Sequence, residues 1–241
     1  MYNPTGFLRA ALPAALEAGK AILEIYAQPT EGWEIEEKAD HTPLTLADRR
    51  ANDIIMRHLR ATGHPILSEE GPLPDYEERK NWPGLWVVDP LDGTSEFLKR
   101  NDEFTVNIAW VQDGRPMAGV IYLPVTHTLY FGMEGMGAFK VGDVTVAKSE
   151  EELIRAAQRL PIEKQHEGFV VVASRSHLSG ETEAYIDLLR KDHPDLSLIS
   201  AGSSMKLCRV AEGSADVYPR FAPTMEWDTA AGDAIVRAAG G

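Results

Sequence analysis

Leu85-Trp86-Val87-Val88-Asp89-Pro90-Leu91-Asp92-Gly93-Thr94 opens as a short apolar run and ends in two acids set three positions apart. A run of this length before turn-forming residues predicts a buried strand, Leu85–Val88. Ligands in mixed helix and strand proteins collect just beyond the carboxyl ends of strands. Pro90 removes an N–H and stiffens the chain, and Gly93 lets the backbone approach a bound group closely. Taken alone, Asp-Pro-Leu-Asp-Gly is equally an ordinary type I turn with Asp at its first position. Two further acid-bearing stretches shift that balance. Ser68-Glu69-Glu70 follows the apolar run Pro65-Ile66-Leu67, and Trp227-Asp228-Thr229-Ala230-Ala231-Gly232 opens a helical pattern. Hard divalent cations such as Mg²⁺ take several oxygen ligands. Glu69, Asp89, Asp92, Asp228 and the Leu91 carbonyl are a candidate set, although local sequence does not separate Glu69 from Glu70.

Working outward, residues 7–27 carry Leu8, Leu12, Ala15, Leu16, Ile22, Leu23 and Ile25 at helical spacing, and a second helix is expected over about 45–59. Residues 103–147 read as antiparallel strands at Phe104–Val111, Met117–Leu123 and Leu129–Phe131, with Asp113-Gly114 turning between the first two. Beyond residue 150 strands and helices alternate: strands at Phe169–Ala173, Leu196–Ser200 and Ala215–Tyr218, helices at Glu181–Arg190, Ser203–Glu212 and Asp228–Ala239. The expectation is an α/β protein with an α+β half (1–150) and an α/β half (151–241) that meet across a cleft.

Of the 241 residues, Lys and Arg supply 24 against 37 Asp and Glu, for a net charge of −13. That total lacks the basic footprint of a DNA- or RNA-binding protein, and a polyanionic small substrate requires cations placed locally. Cys208 is the single cysteine, so no intrachain disulfide forms. It sits in an apolar helical pattern with no glycine-rich phosphate loop after it, which excludes a cysteine-based phosphatase. No apolar stretch reaches membrane-spanning length and no signal peptide is evident; the expected location is the cytoplasm.

Other candidates have competing local readings. Gly93-Thr94-Ser95 opens a helix whose free N–H groups suit a phosphate, while Thr94 or Ser95 also suits a simple cap. Asp228 has the position of an N-cap, and the small residues after it permit close approach of a ligand or of another backbone. Asp48 lies three residues after Thr45, the spacing of a capping box; its other role is to orient a water. Lys206 and Arg220 read locally as exposed charge, and His177 as a loop histidine.

Pro43-Leu44-Thr45-Leu46-Ala47-Asp48, together with the three acid-bearing stretches, resembles the inositol monophosphatase superfamily of Mg²⁺-dependent, lithium-sensitive phosphatases, over nearly the whole chain. Within it, Asp92-Gly93-Thr94-Ser95-Glu96-Phe97-Leu98-Lys99-Arg100-Asn101 and Gly202-Ser203-Ser204-Met205-Lys206-Leu207-Cys208 resemble the 3′(2′),5′-bisphosphate nucleotidase branch, and the run from Val210 to Arg220 continues the match. The resemblance implies the layered sugar-phosphatase fold. It implies two or three Mg²⁺ ions on Glu69 (the first of the pair), Asp89, the Leu91 carbonyl, Asp92 and Asp228, with Asp48 and Thr94 orienting the attacking water. It places Gly93, Thr94, His177, Ser203, Lys206, Arg220 and Asp228 around the substrate. The implied reaction is removal of the 3′-phosphate of adenosine 3′,5′-bisphosphate to leave AMP, a step of sulfur assimilation. Inositol phosphates or fructose bisphosphate are the alternative substrates within the superfamily, and a non-catalytic nucleotide and metal sensor is the alternative of another class. Lys38-Ala39-Asp40-His41-Thr42 is expected to be a mobile loop over the metals. Superfamily members continue past the position of Gly241 with a further strand, so an open sheet edge is expected there.

Overall fold

The structure, a computed structural model, describes residues 4–37, 43–144, 149–162, 166–174 and 179–241. The Lys38–Thr42 segment and His177 lie outside the described residues. In chain order the elements are α1 (Pro4–Tyr26), β1 (Glu36–Glu37), β2 (Pro43–Leu44), α2 (Leu46–Arg60), β3 (Ile66–Ser68), α3 (Tyr76–Arg79), β4 (Gly84–Asp92), α4 (Thr94–Leu98), β5 (Thr105–Gln112) and β6 (Arg115–Leu123). They continue with β7 (Thr128–Met133), β8 (Gly137–Val141), α5 (Glu150–Ala156), β9 (Gln158–Leu160), β10 (Val170–Ala173), α6 (Gly180–Asp192), β11 (Ser197–Ser200), α7 (Met205–Glu212) and α8 (Glu226–Ala239).

Strands β3 to β9 form a seven-stranded sheet in sequence order. Its first pair is parallel and every later pair is antiparallel. Successive side chains of a strand point to opposite faces, and this sheet is covered on both, which is why its strands read as near-continuous apolar runs. Trp86, Val88, Ile108, Val120 and Phe131 join α1 and α2 in one core. Val87, Ala109, Ile121 and Tyr130 join Cys208 and Ala211 of α7 and Ala230, Ala231 and Ile235 of α8 in a second. Strands β10 and β11 form a small parallel sheet whose Val170 and Val172 pack with Met205 and Val210 of α7. Helix α7 therefore lies between the two sheets. No helix among the described residues is long and apolar enough to cross a membrane.

Several expectations change. Helix α5 and strands β8 and β9 were not anticipated; each is too short for periodicity to register. Sheet membership does not switch at residue 150, because β9 completes the large sheet and α8 packs across it. Ala215–Tyr218 contributes a single parallel bridge, Val171 to Val217, rather than a strand. Helix α8 begins at Glu226, so Asp228 is not its cap but lies in its first turn, accepting from Met225 N at 3.0 Å.

The small residues of α8 serve backbone packing. A Cβ on Gly119 of β6 would stand 2.2 Å from the Ala231 carbonyl oxygen, and one on Gly232 would meet the Leu207 side chain. Gly119→Ala should lower stability by about 1–3 kcal/mol, the cost of overpacking a tight contact, read as a lower denaturant midpoint; an unchanged midpoint would contradict this packing.

Glu212 is buried and accepts from Tyr130 Oη (2.7 Å), Lys140 Nζ (2.6 Å), Ser214 Oγ (2.7 Å) and Arg209 Nη1 (2.9 Å). Burial pushes its carboxyl up, but the hydrogen bonds from Lys140, Tyr130 and Ser214 outweigh that and hold it down at about 2. A depressed folded-state value adds stability above the ordinary carboxylate range that is lost as pH falls toward the folded value. Wild type should therefore lose stability between about pH 5 and pH 2 more steeply than Glu212→Gln. Parallel stability–pH curves for the two proteins would contradict it.

Candidate active site

The site begins with a register error in β4. Asp89 pairs with Asn107, yet Asp92 rather than Leu91 pairs with Thr105. One extra residue on β4 is a β-bulge, and Pro90, with no N–H to give to the ladder, is tolerated there. Without the bulge, strand alternation would send Asp89 and Asp92 to opposite faces. With it, both turn to the α7–α8 face, and Leu91 falls into the core on the α1–α2 side. The strand thus runs through the acids instead of ending before a type I turn. Asp89 Oδ1 accepts from Leu91 N at 3.0 Å, which fixes the bulge locally.

The bulge opens onto a cleft of about 290 Å³ lined by Glu69, Asp89, Leu91, Asp92, Gly93, Thr94, Ser203, Lys206, Tyr218, Arg220 and Asp228, among others. Its lining comes from β4, α4, α7 and α8 and from the segments that follow β3 and flank α7, so the structure brings every described residue of the expected set except Asp48 directly to one cavity. Asp48 joins through Thr94, whose Oγ1 lies 3.1 Å from Asp48 Oδ1 and 3.3 Å from the Leu91 carbonyl. The other Asp48 oxygen accepts from Thr45 N (2.7 Å) and Thr45 Oγ1 (2.5 Å). The capping-box reading of Asp48 therefore holds, and the same box fixes the carboxylate against Thr94. Neither Thr94 nor Ser95 caps α4. Gly93 does, at φ +94° and without a side-chain hydrogen bond, and a Cβ there would meet the Glu103 carbonyl and Ser203.

Burial, then the charges of Glu69, Asp92 and Asp228, push Asp89 well above the usual carboxylate range. Asp92 is also raised, first by burial and against the opposing hydrogen bond from Ser204. Among the described residues, no three acids draw together into a ready-made metal cage; they surround the cleft instead. Among the described residues, the hydrogen bonds to Asp92 and to Asp228 all fall on Oδ2, which leaves Oδ1 of each for another partner. An all-oxygen donor set in which neighbouring acids and burial raise Asp89 and Asp92 fits a hard divalent cation.

The same cleft also carries cations. Contrary to its local reading, Lys206 is buried: its Nζ lies 3.3 Å from the Ala201 carbonyl and 2.5 Å from that of Ser203, and 5.5 Å above the Tyr218 ring. Burial lowers its ammonium value, and Asp92 opposes that. Arg220 is exposed as expected and donates to Tyr218 Oη (3.1 Å) and the Pro223 carbonyl (3.2 Å). Ser203 has φ +41°, a strained value for a residue with a Cβ. Its Oγ is buried with no hydrogen-bond partner among the described residues, an unmet polar group in the cleft lining. Cys208 is buried and burial pushes its thiol up, which removes it as a nucleophile. Sequence reasoning missed Asn107, Ser204 and Tyr218. A lone polar residue inside the apolar run Phe104–Val111 was the available signal for the first.

A description of the inositol monophosphatase family matches residues 3–241. The 3′(2′),5′-bisphosphate nucleotidase CysQ of Shigella flexneri is 44% identical over 228 residues, covering 94% of this chain and 85% of that protein. Its counterpart of the same name in Escherichia coli (strain K12) is 43% identical over the same coverage. The crystal structure of CysQ from Bacteroides thetaiotaomicron, described as a bacterial member of the inositol monophosphatase family, shares 55% identity at a TM-score of 0.88, covering 96% of this chain and 85% of that one. Fold, cleft and these likenesses agree: the chain belongs to the inositol monophosphatase family.

Proposed function

We propose that the protein is a Mg²⁺-dependent phosphatase that removes the 3′-phosphate of adenosine 3′,5′-bisphosphate, leaving AMP and inorganic phosphate. The observation that carries this reading is the mixed lining of one cleft: carboxylates together with Lys206, Arg220 and a Ser203 hydroxyl that has no hydrogen-bond partner among the described residues. The carboxylates suit a cation. Lys206 and Arg220 supply positive charge for a second anionic group on a chain of net charge −13. The likeness to proteins named as bisphosphate nucleotidases supports the same substrate class.

Glu69, Asp89, the Leu91 carbonyl, Asp92 and Asp228 would hold Mg²⁺, which when bound activates water at neutral pH and offsets phosphoryl charge. The chain's own residues then orient the reactants. Thr94, its proton directed to Asp48, presents a lone pair that accepts a hydrogen bond from the attacking water. Asp48, held by the Thr45 box, keeps Thr94 in that rotamer. Ser203 and Lys206 contact the substrate, and Arg220 grips the phosphate that is not cleaved. The water oxygen bonds to phosphorus as the bond to the 3′ oxygen breaks, in line and without a phosphoenzyme.

Phosphate release should favour adenosine 3′,5′-bisphosphate over inositol 1-phosphate and fructose 1,6-bisphosphate by about two decades in kcat/KM. Lys206→Ala and Arg220→Ala should each cut the value for the bisphosphate by about 10²-fold, as loss of a charge-assisted phosphate contact does, with a much smaller loss on a monophosphate. A flat substrate profile, or equal losses on both substrate types, would overturn the assignment.

Asp89→Asn should lower kcat by about 10³-fold yet raise Tm in EDTA, because the amide removes one of several crowded buried carboxylates. A lower Tm in EDTA would show that Asp89 is stabilising in the absence of metal, against this account.

A further inference from the structure

Asp92 is held by a closed ring of buried polar side chains that none of the roles above uses. Ser204 Oγ lies 2.6 Å from Asp92 Oδ2 and 3.0 Å from the Asp228 carbonyl. Asn107 Nδ2 donates to Ser204 Oγ at 2.8 Å and to Asp92 Oδ2 at 3.2 Å. Thr105 Oγ1 donates to Asn107 Oδ1 at 2.9 Å, which fixes which way the Asn107 amide faces. Ser204, Asn107 and Thr105 are each at most 3% exposed.

Proton bookkeeping makes the ring directional. The single Ser204 proton goes to the nearer, charged acceptor, Asp92, and the Ser204 oxygen then accepts from Asn107. The two amide protons of Asn107 are divided between Ser204 and Asp92, so every donor in the ring has an acceptor. Both bonds that reach Asp92, from Ser204 and from Asn107, land on Oδ2. Asp92 is therefore locked in one rotamer with Oδ1 uncommitted.

We infer that Ser204 and Asn107 are positioning residues for the cation site, preorganising Asp92 for Mg²⁺ and tying it to the chain segment that carries the substrate contacts. Ser204 immediately follows Ser203 and stands two residues before Lys206, while its oxygen also lies 3.0 Å from the Asp228 carbonyl in the first turn of α8. Ser204 and Asn107 thus tie Asp92 on β4 to β5 and to the N-terminus of α7, beside the first turn of α8. Supports of this kind behind a ligand are worth about 10–100-fold in metal affinity. This inference rests on the metal reading given above, though not on which phosphate ester is cleaved.

The test is titration of the full chain, without substrate, with Mg²⁺ by calorimetry and with Mn²⁺ by electron paramagnetic resonance, for wild type, Ser204→Ala and Asn107→Ala. Both variants should bind each cation at least about tenfold more weakly, and the Mg²⁺ concentration for half-maximal turnover should rise by a similar factor. The KM for the nucleotide at saturating Mg²⁺ should move less than about threefold, a split that general loss of structure would not give. Counting binding per folded molecule, from circular dichroism of the same samples, keeps a partly unfolded variant informative. Wild-type cation affinity in either folded variant would overturn the inference. Failure of wild type to bind any divalent cation would overturn the metal reading and this inference with it, whereas a substrate other than the nucleotide would overturn only the substrate assignment.

Discussion

One inserted residue in β4 governs the site. The bulge between Asp89 and Asp92 converts a three-residue spacing, which strand alternation would split across the sheet, into two carboxylates on one face. It also sends Leu91 into the α1–α2 core, so a buried apolar side chain holds the irregularity in register. The rest is arranged around that point. Thr94 follows at the start of α4, Asp48 reaches it from α2, and Ser204 and Asp228 arrive from the α7–α8 layer on the face the bulge has chosen.

The arrangement is costly for the protein alone and useful with a ligand. Burial raises Asp89 and Asp92, Lys206 is desolvated among backbone carbonyls, and Ser203 holds a left-handed backbone with a hydroxyl that has no partner among the described residues. Local penalties concentrated in one cleft are expected where a fold must be complementary to a bound ion and anion rather than to itself. The stabilising counterparts lie elsewhere: the two cores on either face of the large sheet, the near contact of Gly119 with α8, and the fully satisfied Glu212 cluster. Because Glu212 lies on α7, that cluster also anchors the helix carrying Lys206.

Much of this was legible in the chain because the signals were local. The apolar runs before Glu69 and Asp89 and the helical stripes of α1 and α2 depend on neighbours within a few residues, as does the Thr45–Asp48 spacing. The family resemblance picked Glu69 from its pair and added the substrate-side residues; these and the acids read locally, apart from His177 outside the described residues and Asp48 behind Thr94, line the cleft. What sequence could not give depends on pairing. The bulge exists only relative to Asn107 and Thr105 on β5, so Asp-Pro-Leu-Asp-Gly looked like a turn. Asp228 looked like a cap because nothing local shows α8 starting at Glu226, and Lys206 looked exposed because its burial is created by a second sheet beyond α7. The small residues early in α8 left open whether a ligand or a backbone approached them; Gly119 answers for the backbone, and the Leu207 side chain fills the space at Gly232.

The central claim is that the bulge gives Asp89 and Asp92 a shared ligand. Anomalous diffraction from crystals grown with Mn²⁺ tests it most directly. The account predicts a peak in the cleft within about 2.0–2.6 Å of oxygens from both Asp89 and Asp92. A peak bound to only one of the two, or ordered Mn²⁺ solely outside this cleft, would contradict it.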